Sequence, residues 1–218
     1  IRFKQGDPND SHPRWTPDGK TVLFTSNRSG KQQVWKISAT GGEAEQLTHF
    51  INGTGQPVLS PDGKKLLVTV SLHRDDSLFD EKEADKQEVE ELTPYTTTRL
   101  KYKVEGQGFL KEKYSQLILI DIETGDATQL TDGDFNHGNA SFSPDGKRIA
   151  FTSNRSDDPD QTFISDIYEL ELSTKELTKL TTSDGMFSSP NYSPDGKMLS
   201  LLGHKREYAG ATLTRVWT

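Results

Sequence analysis

A hydrolytic site needs a nucleophile beside a base, and a metal site needs ligands at fixed spacing. This chain offers five histidines, His12, His49, His73, His137 and His204, scattered through connecting segments with no ligand spacing between them. Each reads as a surface histidine. No Gly-x-Ser-x-Gly elbow, His-Glu-x-x-His pair or phosphate-cradling glycine loop occurs, and Gly106-Gln107-Gly108 lacks the third glycine. Asp132-Gly133-Asp134 and Asp157-Asp158-Pro159-Asp160 cluster carboxylates, but neither has the spaced ligands and bidentate glutamate of a calcium loop. Turn chemistry accounts for both. Glu90-Glu91 could receive a substrate's free amine, but a charged loop is the favoured reading. Six Asn-x-Ser/Thr triplets, among them Asn27-Arg28-Ser29 and Asn154-Arg155-Ser156, read as turn residues. The expectation is no catalytic residue, no metal and no cofactor within these residues.

The elements that would position any site follow from one turn written four times. It reads Thr16-Pro17-Asp18-Gly19-Lys20, Ser60-Pro61-Asp62-Gly63-Lys64, Ser143-Pro144-Asp145-Gly146-Lys147 and Ser193-Pro194-Asp195-Gly196-Lys197. Proline presets φ for the first central position, and glycine takes the positive φ. A short run precedes each copy and a β-rich run follows it, such as Thr21-Val22-Leu23-Phe24-Thr25 or Arg148-Ile149-Ala150-Phe151-Thr152. That is a hairpin. A third strand follows (Gln33 to Ile37, Gln116 to Ile120, Asp166 to Leu170), then a short fourth one. The fourth ends Gln46-Leu47-Thr48, Gln129-Leu130-Thr131 or Lys179-Leu180-Thr181. Four strands per unit at a period of 40–50 residues mark propeller blades.

The fold expected is therefore all-β: about three and a half four-stranded antiparallel blades of a seven- or eight-bladed propeller. The blades fall at 12–49, 56–132, 139–182 and 189–218, the last incomplete. The second carries an insertion over 72–115. Between 75 and 91 that insertion holds nine acidic residues, which predicts a solvated helix or mobile loop. From Thr98 to Val104 it alternates as one arm of a long hairpin. Trp15, Trp35 and Trp217 fall in strands and are expected to be blade-packing residues rather than ligand platforms. Alternating strand direction puts the short turns on one face and the long, dissimilar connections on the other, where function is expected to reside.

Composition narrows the partners. A net charge of −7 argues against nucleic acid, and no apolar run approaches the ~18 residues of a membrane-spanning helix. The absence of cysteine fits a reducing, cytoplasmic setting. A chain opening at Ile1 and stopping at Thr218 within a strand reads as a fragment. Its unclosed blades predict a pseudo-closed homodimer.

The repeated Ser-Pro-Asp-Gly-Lys with Ile149 to Arg155 resembles the propeller repeats of TolB-like proteins and of the prolyl oligopeptidase family. Three further stretches resemble the bacterial acylaminoacyl-peptidase branch: Thr98 to Lys103 continuing through Leu110, Gln129 to Asp134, and Gly203 to Thr212 leading into Trp217. The resemblance implies a propeller over an α/β-hydrolase domain with a Ser-Asp-His triad outside this chain. It implies a lid that admits short peptides, with the hydrolase domain of the same parent chain as partner. Within the stretch 203–212, His204, Arg206, Glu207 and Tyr208 are the expected substrate-gating residues. The alternative is a TolB-like interaction module with no enzyme attached.

Overall fold

A computed structural model describes residues 8–74, 76, 78, 96–97, 99–105, 108–208 and 212–218. The expected helix or loop over 75–91 lies almost wholly outside them. Blade 1 is built from β1 (Asp10–Trp15), β2 (Thr21–Ser29), β3 (Lys31–Ser38) and β4 (Glu45–Gln46). Blade 2 is built from β5 (Val58–Leu59), β6 (Lys65–Leu72), β9 (Tyr114–Asp121) and β10 (Ala127–Gln129). Between β6 and β9, β7 (Lys103–Val104) and β8 (Gly108–Phe109) make a separate hairpin of two-residue strands, shorter than the alternation suggested. Blade 3 comprises β11 (His137–Phe142), β12 (Arg148–Ser153), β13 (Asp166–Glu171) and β14 (Leu177–Lys179). Blade 4 has β15 (Gly185–Tyr192), β16 (Leu199–Lys205) and β17 (Arg215–Trp217). Every described pairing of named strands is antiparallel, and each blade runs in sequence order across its sheet.

The repeated turn is a small hydrogen-bond device. In blade 2, Ser60 Oγ donates to Asp62 Oδ1 at 2.6 Å, and the same oxygen accepts from the Lys64 N–H at 3.1 Å. Lys65 N–H donates back to Ser60 Oγ at 2.9 Å, and Gly63 takes φ of 73°. Blades 3 and 4 repeat this with Ser143/Asp145 and Ser193/Asp195, and blade 1 uses Thr16 and Asp18. The donated bonds hold all four aspartates below the usual carboxylate range, the hydroxyl bond contributing most.

The Leu-Thr endings have a matching cause. Thr48, Thr131 and Thr181 each accept the third strand's N–H on the hydroxyl (Val34 at 2.8 Å, Leu117 at 2.9 Å, Ile167 at 3.1 Å). Each hydroxyl passes its own proton to Gln33, Gln116 or Asp166. A side chain thereby extends the ladder where the fourth strand is too short to do so.

First strands begin earlier than expected, at Asp10, His137 and Gly185 rather than 12, 139 and 189. A bulge explains the difference. Their registers shift between Ser11 and Arg14, Gly138 and Ser141, and Ser188 and Asn191, and His12, Asn139 and Ser189 take positive φ of 51°, 48° and 53°. The extra residue resets the alternation, so pattern alone loses the strand before it. These four first strands border a cavity of about 840 Å³, with Arg14, Pro57, Asn139 and Ser189 from four different blades in its lining.

Apolar clusters stitch neighbouring blades. Leu23 and Val34 meet Leu66, Val68, Ile118 and Ile120 between blades 1 and 2. Leu67 and Leu117 meet Ile149, Phe151 and Tyr168 between blades 2 and 3. Ala150, Ile167 and Phe187, with Trp217 against them, join blades 3 and 4. Trp217 packs between blades 3 and 4, Trp35 packs against Val22, Phe24 and Ile37 of its own blade, and Trp15, opposite Val22 in the register, is 62% exposed.

Candidate functional site

The long connections gather on the face away from the repeated turns, and there the blade 2 insertion closes against the 154–165 connection of blade 3. Arg99 clasps Asp160 with two bonds, Nη2 to Oδ1 at 2.6 Å and Nε to Oδ2 at 3.2 Å. Both side chains are largely buried. The Lys101 N–H donates to Asp160 Oδ2 at 3.3 Å, and Lys101 Nζ donates to the Pro159 carbonyl at 3.2 Å. Beneath, the Arg99 guanidinium lies 4.9 Å from the Tyr114 ring centre. Arg99's bonds hold the Asp160 carboxyl below the ordinary range, so the pair stays charged. Two residues 61 positions apart thus pin the insertion to blade 3.

A cleft of about 470 Å³ opens beside this clasp, lined by Tyr114, Phe135, Arg155 and residues 156–161 as well as by Arg99. A second, of about 260 Å³, continues past Asn154, Phe163 and Met186. Arg155 lies between two rings, 5.1 Å from Phe135 and 5.6 Å from Tyr168. Phe163, 59% exposed, has Lys101 of blade 2 at 5.8 Å and Arg206 of blade 4 at 5.8 Å from its ring centre. Guanidinium, carboxylate and aromatic groups line the groove, with no activated nucleophile among the described residues of its lining. Ser156 illustrates this: its hydroxyl donates to Asn154 Oδ1 at 2.7 Å and lies 2.6 Å from Thr162 Oγ1, and neither partner is a base that could activate it.

Of the four expected gating residues, Arg206 reaches the groove, through Phe163. Its backbone N–H donates to the Asp184 carbonyl at 2.8 Å. His204 stays within β16, opposite Met186. Glu207 and Tyr208 point into solvent; Tyr208 is 73% exposed, and its N–H donates to Thr212 Oγ1 at 3.0 Å. The four form a bend rather than one converging site.

His137 corrects the expectation of five surface histidines. It is 2% exposed, its Nδ1 donates to the Ser115 carbonyl at 3.1 Å, and its ring meets Phe151 edge-on at 5.4 Å. Burial pushes its pKa down to about 4, so it is neutral. Arg155 and Arg99 were the residues that motif reasoning missed. Arg155 stands inside a repeated Asn-Arg-Ser triplet that reads as a turn, and Arg99 within a strand-like alternation; the recurrence of Arg28 at Arg155 was the available signal.

Fold and groove together define a β-propeller segment with bulged first strands and clasped loops. The family model of the acylaminoacyl-peptidase N-terminal β-propeller domain matches residues 65–216, and that of the TolB β-propeller domain matches residues 1–100. The chain belongs to the acylaminoacyl-peptidase N-terminal β-propeller family. It is 44% identical over all 218 residues to the uncharacterized peptidase YuxL of Bacillus subtilis, and spans 33% of that protein's length. Among solved structures it is similar to the Pyrococcus horikoshii acylaminoacyl peptidase, with a TM-score of 0.68 and 19% identity over 95% of this chain and 30% of that one. TolB from Acinetobacter baumannii superimposes with a TM-score of 0.61 and 21% identity, over 95% and 40% of the two chains. At these identities the structures speak for the fold alone.

Proposed function

We propose that this propeller segment belongs to a serine peptidase of the prolyl oligopeptidase family, and that it covers the active site of an α/β-hydrolase domain and restricts access to short peptides. The observation that carries the reading is the family match over 65–216, joined to the gathering of long connections on one face. A rigid ring admits an extended chain and excludes a folded one, and it keeps the reaction site from bulk water. The 218-residue chain alone is expected to show no turnover of acylated or free peptide substrates. The full-length gene product is expected to cleave short peptides and spare folded proteins of the same sequence content. Turnover by the isolated chain, or equal cleavage of folded proteins, overturns the reading.

The match to the TolB propeller over 1–100 favours a second reading, an interaction module with no enzyme attached. A serine nucleophile elbow encoded downstream decides for the first reading, and a stop codon soon after the last blade decides for the second. In either case the outer face of blade 4 asks for cover. Leu202 and Val216 are cross-strand partners there, 41% and 71% exposed. We propose that a further blade of a longer chain covers them, and that the 218-residue chain by itself pairs with a second copy instead. Sedimentation of a monomer at tens of micromolar contradicts the pairing.

A further inference from the structure

The same sequence, Thr-Ser-Asn-Arg-Ser, closes β2 of blade 1 and runs from the end of β12 into the next connection of blade 3, and it is built into two different electrostatic situations. In blade 1, Arg28 Nη2 donates to both oxygens of Asp10, at 2.9 and 3.0 Å, and its Nε donates to Ser26 Oγ at 3.0 Å. The guanidinium lies over Phe24 and Trp35. In blade 3, Arg155 lies over Phe135 and over Tyr168, and Tyr168 holds the register position of Trp35. Both polar partners have gone. The residue opposite Ser153, where blade 1 has Asp10 opposite Ser26, is the buried His137. Ser153 has turned its hydroxyl to the Asn136 carbonyl at 3.0 Å, which leaves Arg155 Nε buried without a partner.

Blade 4 makes the contrast sharper. Lys205 ends β16 at the same distance from the repeated turn, and it pairs with Asp184 at 2.9 Å. Blade 2 has Leu72 there. Of the three blades with a cation at this position, the two outer ones supply its carboxylate from their own chain. Blade 3 supplies none among the described residues, although its cation lines the 470 Å³ cleft. The other acids of the cleft do not replace it. Asp160 is held by Arg99 and Asp134 by Arg74, while Asp157 and Asp158 are exposed on the rim.

We propose that Arg155 is a docking point for the carboxylate of a short peptide, which takes the place that Asp10 fills beside Arg28. The peptide origin of that carboxylate rests on the gating function proposed above; the vacancy beside Arg155 does not. The stacked rings fix the guanidinium plane in advance, so little side-chain entropy is lost when two parallel N–H···O bonds form. Asp157 and Asp158 disfavour ligands with several negative charges and tolerate a chain carrying one.

Titration of the 218-residue chain with N-acetyl-Ala-Ala-Ala, followed by the ¹⁵N–¹H signals of the arginine side chains, tests this directly. The free acid is expected to shift the Arg155 signal and leave Arg28 unmoved, and its C-terminal amide is expected to bind about ten- to a hundred-fold more weakly, the usual range for a charge-assisted pair. N-acetyl-Ala-Glu-Ala-amide separates the two carboxylate sources. Binding assigns the site to acidic side chains as well, and no binding assigns it to the C-terminus, either result upholding the carboxylate. Arg155→Gln, at a half-exposed position, is expected to abolish the difference between acid and amide, whereas Arg28→Gln preserves it. His137→Asp, which rebuilds the blade 1 arrangement, is expected to block the site in a folded chain. Equal affinity for acid and amide, or an Arg155→Gln chain that still prefers the acid, overturns the proposal. Because no hydrolysis is measured, failure here is distinct from failure of the peptidase reading.

Discussion

The two ends of the blades are built on opposite principles. At the turn end the same five residues recur, the same serine or threonine hydroxyl bonds the same aspartate, and glycine takes the same positive φ in all four copies. At the loop end nothing recurs in full: a clasp of Arg99 and Asp160, a ring stacked between Lys101 and Arg206, and an arginine stripped of the partners its counterpart keeps. Uniform turns make equivalent blades, and equivalent blades give the unlike loops fixed positions. The difference teaches that here variation, rather than recurrence, marks the surface proposed to recognise a ligand.

Breaking the scaffold should cost most. Phe151 is fully buried between blades 2 and 3, touching His137 edge-on and stacked 6.0 Å from Tyr168. Phe151→Ala is expected to cost about 3–5 kcal/mol, read as a fall in the urea midpoint at constant slope. A loss below about 1 kcal/mol would mean that the blades do not depend on that junction. Next comes His137, at the same junction. Its folded pKa of about 4 lies below the ordinary 6.5, so the unfolded chain takes up the proton first as pH falls. Stability is then complete above pH 6.5 and declines between 6.5 and about 4, by about 3 kcal/mol from that shift. Urea titrations from pH 7 to 4 should show the decline, and His137→Gln should flatten it.

Smaller effects belong to the single turn. Ser60→Ala removes a buried hydroxyl that bonds Asp62 and the Lys65 N–H, and is expected to cost about 1–2 kcal/mol. Asp62 adds a pH dependence of known sign. Its folded pKa is depressed, chiefly by that hydroxyl bond, so its contribution is present above the unfolded value of 3.8 and disappears as pH falls through the folded one. In Ser60→Ala the acid limb of the stability curve should therefore be shallower.

The turn end was legible in the chain and the loop end mostly was not, for a physical reason. Turns are decided within five residues by proline, glycine and a local hydroxyl, so Ser60 to Lys64 announces its own structure. Arg99 and Asp160 meet across 61 residues, and no local preference of either predicts the other. Bulges hid the starts of first strands because one added residue inverts the alternation used to find them. His137 looked like a loop residue because the strand before its bulge was invisible, and Arg155 looked like a turn residue because it stands in an Asn-Arg-Ser triplet just past the end of β12. The fold was thus readable from repetition, whereas the groove needed tertiary contacts.

The least costly change sharpens the contrast most. Arg99→Ala removes the clasp but no core residue, and because the insertion it pins can open and let water reach Asp160, the stability read from the urea midpoint at constant slope should fall by about 1 kcal/mol or less. Its consequence should be local. Asp160 would lose the guanidinium that holds its charge, the Lys101 N–H would lose a rigid acceptor, and the insertion would be freed from blade 3. Hydrogen exchange at Lys101 and at Thr162, whose N–H donates to the Asp158 carbonyl, should speed up while β12 and β13 stay protected. Asp160→Ala should speed the same amides, and the double variant should add little, because either change alone opens the clasp. If Arg99→Ala instead lowered protection across β12 and β13, the loop end would be part of the scaffold, and the division between the two ends would not hold.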